Sequence, residues 1–241
     1  VSVPAVSPAV PAPARRPSRR LGAETDATIR ELQERVHRMQ GTAVTHPLET
    51  LPVLRPLVQL QTGCSYAVDS PLLAMALMAG PSGAGAWCGV VGVPEFGVEA
   101  AASLGVQIDR TVLVPEPGEN WLTVAAAMVD VLTVVVVRPP QGRDGRIGPH
   151  QAARLDSRLR QREAALIVLG DWPRSDARLR VLRTSWTGIG QGYGHLDARR
   201  VTVASRRVGA PGAEADLWLP DADGVVRVAA ETRAPVLRVA R

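Results

Sequence analysis

The chain has 241 residues, a formal charge of +5, 46% hydrophobic residues and only 3% aromatics, which suits one α/β domain with a short tail better than two full domains. No stretch reaches the roughly 18 consecutive apolar residues of a membrane span, and the Pro-rich N-terminus lacks the apolar run of a secretory signal, so a cytoplasmic location is expected. All 28 basic residues are arginine, which excludes chemistry that depends on a lysine amine.

Cys64 and Cys88 lie in apolar surroundings, and His37, His46, His150 and His195 are scattered without ligand spacing. Neither a disulfide framework nor a metal site is predicted. Charge is uneven along the chain: residues 1–20 carry +4, 21–137 carry −7, 138–207 carry +9 and 208–241 carry −1. The strongly basic stretch is where a polyanion or an acidic partner would be attracted.

In chain order, residues 1–22 are rich in Pro, Ala and Arg and are expected to form a disordered tail. A second region, 23–54, holds an amphipathic helix and a connector. Thr28 and Glu31 have capping-box spacing, and Ile29, Leu32, Val36 and Met39 repeat at three and four residues before Gly41. That apolar stripe docks on the chain's own domain or on a partner. Three prolines mark the connector 42–56, and Leu57 to Gln61 is expected to be the first core strand.

The third region, 55–241, is the core domain. Pro71 to Ala79 reads as a buried helix, Ala86 to Val93 as a strand, Val98 to Leu104 as a short helix and Thr111 to Val114 as a third strand. Glu119 to Met128 is a helix, Val131 to Val137 a strand, Gln151 to Arg162 a helix and Ala165 to Leu169 a buried strand. Continuous apolar strands alternating with helices predict a mostly parallel sheet covered on both faces. Arg200 to Val208, Ala215 to Leu219 and Val225 to Ala229 are short strands joined by turns, so the sheet is expected to finish antiparallel.

Gly63 to Ser70 occupies the strand-to-helix position where a phosphate-cradling loop belongs. Against G-x-x-x-x-G-K-[ST], Gly63 and Ser70 match, while Val68 replaces the second glycine and Asp69 the lysine. An acid in place of the lysine reverses the local interaction with phosphate, a change of several kcal/mol at a few ångströms. The segment reads as a degenerate loop that holds no cofactor, or as a turn that never bound phosphate. The Gly63-Cys64-Ser65 turn also lacks the G-x-S-x-G context of a nucleophile.

From this loop onward the chain resembles the RecA recombinase family over roughly residues 55–210. Gly89 to Ile108 is similar to the RecA strand, acidic turn and helix, and Leu104-Gly105-Val106-Gln107-Ile108-Asp109 is similar to its LGVDID-like end. Glu95 falls near the family's catalytic glutamate. Val129-Asp130-Val131-Leu132 resembles the opening of the strand that ends in a magnesium-linked aspartate, but here the end reads Val134 to Val137. Ala165 to Leu169 resembles the strand that ends in a nucleotide-sensing glutamine, but here Gly170-Asp171-Trp172 follows. Arg199 to Val203 with Arg206-Arg207-Val208-Gly209 resembles the later strand and its RRxG end. The resemblance thus implies a RecA-like fold without ATP hydrolysis.

The RecA-like core, the Pro-rich tail with one helix in front and the GC-rich composition look like the ImuA-type accessory proteins of the mycobacterial mutasome, in the form called ImuA-prime. That resemblance implies a non-catalytic adaptor in DNA-damage-induced mutagenesis. Its partner would be an ImuB-type, catalytically inactive Y-family polymerase-like protein, and through it a DnaE-type error-prone polymerase. A SulA-like inhibitor of cell division and a DNA-binding modulator of RecA filaments are the rival readings. Two arginine clusters flank the Ala165 to Leu169 strand, the first including Arg154 and Arg158 and the second Arg174, Arg178, Arg180 and Arg183. They contact nucleic-acid phosphates or a partner, with weak single-stranded DNA binding, or are solvated surface. Trp172 and Trp186 flank the second cluster and either stack on a ligand or pack in the core.

Overall fold

The computed structural model describes residues 45–141, 147–190, 193–194 and 196–229. These belong to a compact unit that starts at Thr45. The predicted tail, the helix with Ile29, Leu32, Val36 and Met39, and residues 230–241 lie outside the described residues.

Six strands run parallel. They are β1 (Ser65–Val68), β2 (Cys88–Val91), β3 (Thr111–Val114), β4 (Val134–Val137), β5 (Ala165–Leu169) and β6 (Ala177–Trp186). The helices between them are α1 (Pro71–Gly83), α2 (Val98–Ser103), α3 (Trp121–Val129) and α4 (Pro149–Arg162). β1, β2, β4 and β5 are buried along their whole length, which explains their unbroken apolar sequences. Tyr66, Val68, Val90, Val136 and Ile167 face a core shared with α1 and α2. Ala67, Val91, Val135, Leu166 and Val168 face a second core with α3, α4 and Trp172.

β6 then pairs antiparallel with β9 (Arg199–Arg207), β9 with β10 (Ala213–Trp218), and β10 with β11 (Arg227–Val228). A small hairpin of β7 (Ile189–Gly190) and β8 (Tyr193–Gly194) stands apart. The main sheet of the described residues has nine strands, in the order β11-β10-β9-β6-β1-β5-β4-β2-β3. It is therefore an α/β fold with a mostly parallel sheet and an antiparallel C-terminal end.

Two expectations are corrected. Leu57 to Gln61 is not the first core strand, because residues 52–57 form successive turns and Gln61 makes only an isolated bridge to Pro47. The connector folds back on itself, with Leu48 N–H bonded to the Leu60 carbonyl at 2.8 Å and Thr62 N–H to that of His46 at 2.9 Å. Leu54, Leu57 and Leu60 sit in the core shared with β6, β9 and β10. The connector from Thr45 on thus belongs to the core domain, and does there what a covering helix would do. The second correction is β1 itself, which lies inside the expected phosphate loop. Gly63 precedes it, Val68 ends it, and only Asp69 and Ser70 separate it from α1.

Candidate functional site

The C-terminal ends of parallel strands are where open α/β sheets bind ligands. Here the ends of β1, β4 and β5 border a cleft of about 770 Å³, lined among others by Asp69, Arg138, Asp171, Trp172 and Arg178. Its cations are engaged. Arg138 forms an ion pair with Glu95, and Arg178 with Asp171. The Arg138 hydrogen bond holds the Glu95 carboxyl below the usual carboxylate range, so the residue near the expected catalytic position is a charged surface partner of Arg138.

The turn between β1 and α1 is two residues long. Ser70 is the N-cap of α1 and Pro71 its first residue, so one of the N–H groups that would face an anion is missing. Both Asp69 carboxylate oxygens accept from the backbone N–H of Val181, at 3.0 and 3.2 Å. Asp69 therefore closes a gap where β6 runs on beyond the end of β1. Cys64 is buried, and burial pushes its thiol up to about 11, which disfavours the reactive thiolate.

The arginine clusters resolve into several environments. Arg158 and Arg162 both reach Asp130, at 3.3 and 3.2 Å. Arg154 is exposed beside Arg158 in a groove of about 640 Å³ between α3 and α4. Arg174 stands 4.0 Å from Asp156. Arg178, Arg180 and Arg183 lie along β6, where the register shifts between Val181 and Arg183, and Arg183 donates to the Thr202 hydroxyl at 3.4 Å. Trp172 is 1% exposed and so cannot stack on a ligand. Trp186 is 48% exposed, with the Arg199 guanidinium over its ring at 5.6 Å.

Asp156 was hidden in the sequence by its position among arginines. It is buried on α4, and burial raises its pKa, while the Trp172 indole, Arg160 and Arg174 favour its charge. Asp156 Oδ1 and Trp172 Nε1 nevertheless lack hydrogen-bond partners of ordinary geometry. This buried group ties the β5–β6 crossover to α4.

The family model described as the MT3502 N-terminal domain matches residues 53–174, half of the chain. The chain belongs to the MT3502 N-terminal domain family. A protein of Mycobacterium tuberculosis, the uncharacterized protein Rv3395c, is 33% identical over 109 residues, 44% of this chain and 52% of that protein. The aligned stretch therefore spans about half the length of that relative. The MT3502 N-terminal match runs from the connector through β5 to Arg174 and stops short of β6. It covers the turn at Asp69 and the cleft's β4 and β5 edges, while the arginine-bearing strands β6 and β9 lie beyond it. Among the described residues no cluster of His, Cys, Asp and Glu is arranged to hold a metal ion, and no helix is long and apolar enough to cross a membrane.

Proposed function

We propose that this protein is a non-catalytic adaptor on a RecA-like fold, acting in DNA-damage-induced mutagenesis by docking an ImuB-type polymerase-like protein. The observation that carries the reading is the Asp69-Ser70 turn. At the one place where this architecture would cradle a nucleotide, the loop is cut to two residues and its acid is committed to the neighbouring strand. A fold without that site serves through its surfaces. The alternation of strands and helices from β1 to β5 is the kind of architecture that the RecA resemblance implies.

Two measurements test the reading together. Calorimetry with magnesium ATP is expected to give no binding heat at millimolar nucleotide, and the full chain is expected to co-purify with the ImuB-type protein from DNA-damaged cells. Micromolar ATP binding would overturn the non-catalytic part. Recovery of a cell-division protein in place of the ImuB-type partner would overturn the adaptor part in favour of the SulA-like alternative.

A further inference from the structure

Among the described residues, β1, β2, β4 and β5 are covered on both faces, but the antiparallel half of the sheet is not. On one face of β6, β9 and β10, Leu179, Val203 and Leu217 are buried beneath the connector's leucines. No residue of these strands belongs to the opposite core formed by α3, α4 and Trp172. On that side, Arg180, Arg206 and Glu214 are exposed and Leu182 is 51% exposed, around a groove of about 710 Å³.

The charges on this face are arranged for an anion. The register sets Arg178 directly opposite Arg206, and like charges at such a cross-strand pair repel. Arg178 has Asp171 as its counter-ion, and Asp216 is taken by Arg200 at 2.8 Å and by the Thr202 hydroxyl at 2.6 Å. Among the described residues Arg180 and Arg206 form no ion pair, and Glu214 is the acid left beside them in the groove. Alternate residues on a strand repeat about every 6.6 Å, so Arg178 and Arg180 present a row of guanidinium groups along β6. Such groups bind phosphate in a fork and also stack on bases. Leu182 and the half-buried Trp218 add apolar ground on the same face.

We propose that the uncovered face of β6, β9 and β10 binds the phosphodiester backbone of single-stranded nucleic acid, with Arg180 and Arg206 as phosphate contacts. An extended acidic peptide suits it less well. Peptides join a sheet at an open edge through main-chain bonds, whereas Arg180, Arg206 and Glu214 project from the face of strands that are bonded to one another. A face of this kind offers side-chain contacts only, which a backbone charged at every unit can use in sequence.

The test is fluorescence anisotropy of a labelled oligothymidylate against the full chain across a salt series, with a polyglutamate peptide and a DNA duplex as competitors. The variant R180A/R206A removes two phosphate contacts, and R154A/R160A removes the same charge from α4. Losing two contacts is expected to reduce the salt slope by about 1.4 and the affinity at about 0.1 M salt by about 25-fold. R154A/R160A is expected to change either by far less, and Glu214→Gln to tighten binding. No oligonucleotide binding, an unchanged slope in R180A/R206A, or an equal loss in R154A/R160A would each overturn the proposal. Polyglutamate or duplex that competes as well as unlabelled single strand would do so too. Circular dichroism on each variant confirms that a loss of binding is not a loss of fold.

Discussion

Asp69 occupies the position a phosphate loop would give to lysine, and two different features there disfavour phosphate: its charge and the shortness of its turn. The substitution Asp69→Lys separates them. If turn shape decides, Asp69→Lys still gives no heat with magnesium ATP. It is also expected to lower stability by about 1 kcal/mol, because the Val181 N–H loses its acceptor. Urea unfolding and calorimetry on the same sample read both effects, and micromolar nucleotide binding by the variant would show that charge alone had closed the site. Asp156 makes the opposite kind of case, an acid buried at a cost. Its folded pKa is raised, so its ionisation opposes folding at pH values above that raised value, and the penalty is relieved as pH falls toward the ordinary carboxylate range. Asp156→Asn is therefore expected to unfold at higher urea than the parent at pH 7, with the gain shrinking toward pH 4. A loss of stability at pH 7 would mean that the Arg174 and Trp172 contacts outweigh desolvation.

At the scale of elements, the connector is the part whose importance the sequence hid most. Its prolines read as a spacer, yet it closes one face of the antiparallel half, and its backbone presses on α1 at Gly80. A Cβ there would lie 2.6 Å from the Glu49 carbonyl oxygen and 3.0 Å from Leu51 N. Gly80→Ala, a favourable change in an isolated helix, is expected here to cost about 1–3 kcal/mol, and Leu54→Ala about 2–5 kcal/mol. Thermal unfolding of both variants checks this, and a neutral Gly80→Ala would mean that the connector moves aside freely. Thr111 to Val114 and Ala165 to Leu169 were legible to the residue because both are short β-branched and apolar runs bounded by turns, although Thr111–Val114 is a half-exposed edge strand and only Ala165–Leu169 is buried throughout. β1 was misplaced because Leu57-Val58-Gln59-Leu60 is the more apolar run, while Ser65-Tyr66-Ala67-Val68 is small and sits where a loop template matched its ends. β6 was not assigned, although Ala177, Arg178, Leu179 and Arg180 alternate buried and open sides. Its arginines stand out in the sequence as charge and not as period. The cross-strand meeting of Arg178 with Arg206 depends on pairing register, which no local pattern encodes.

For the whole molecule, the relevant division is between the stretch matched by the family and the strands that follow it. Residues 53–174 hold β1 to β5 and their helices, which looks like a self-sufficient doubly covered sheet. The packing argues otherwise. β1 is an interior strand only because β6 pairs its second edge through Tyr66, Ala67 and Val68. The core that buries Tyr66, Val68 and the connector's Leu54 and Leu57 also contains Leu179, Val201, Val203, Leu217 and Leu219. Cutting the chain after Arg174 would strip these side chains away, open a strand edge, and remove the Val181 N–H that Asp69 satisfies and the backbone of Asp176 that pairs with Ser65. A fragment of residues 1–174 is therefore expected to unfold without a cooperative transition and to bind a hydrophobic dye, whereas the full chain unfolds in a single sigmoidal step. Urea denaturation followed by circular dichroism, with dye fluorescence on the same samples, decides it. A fragment that melts cooperatively and leaves the dye dark would mean that the parallel half stands alone and that the antiparallel strands are an appended module.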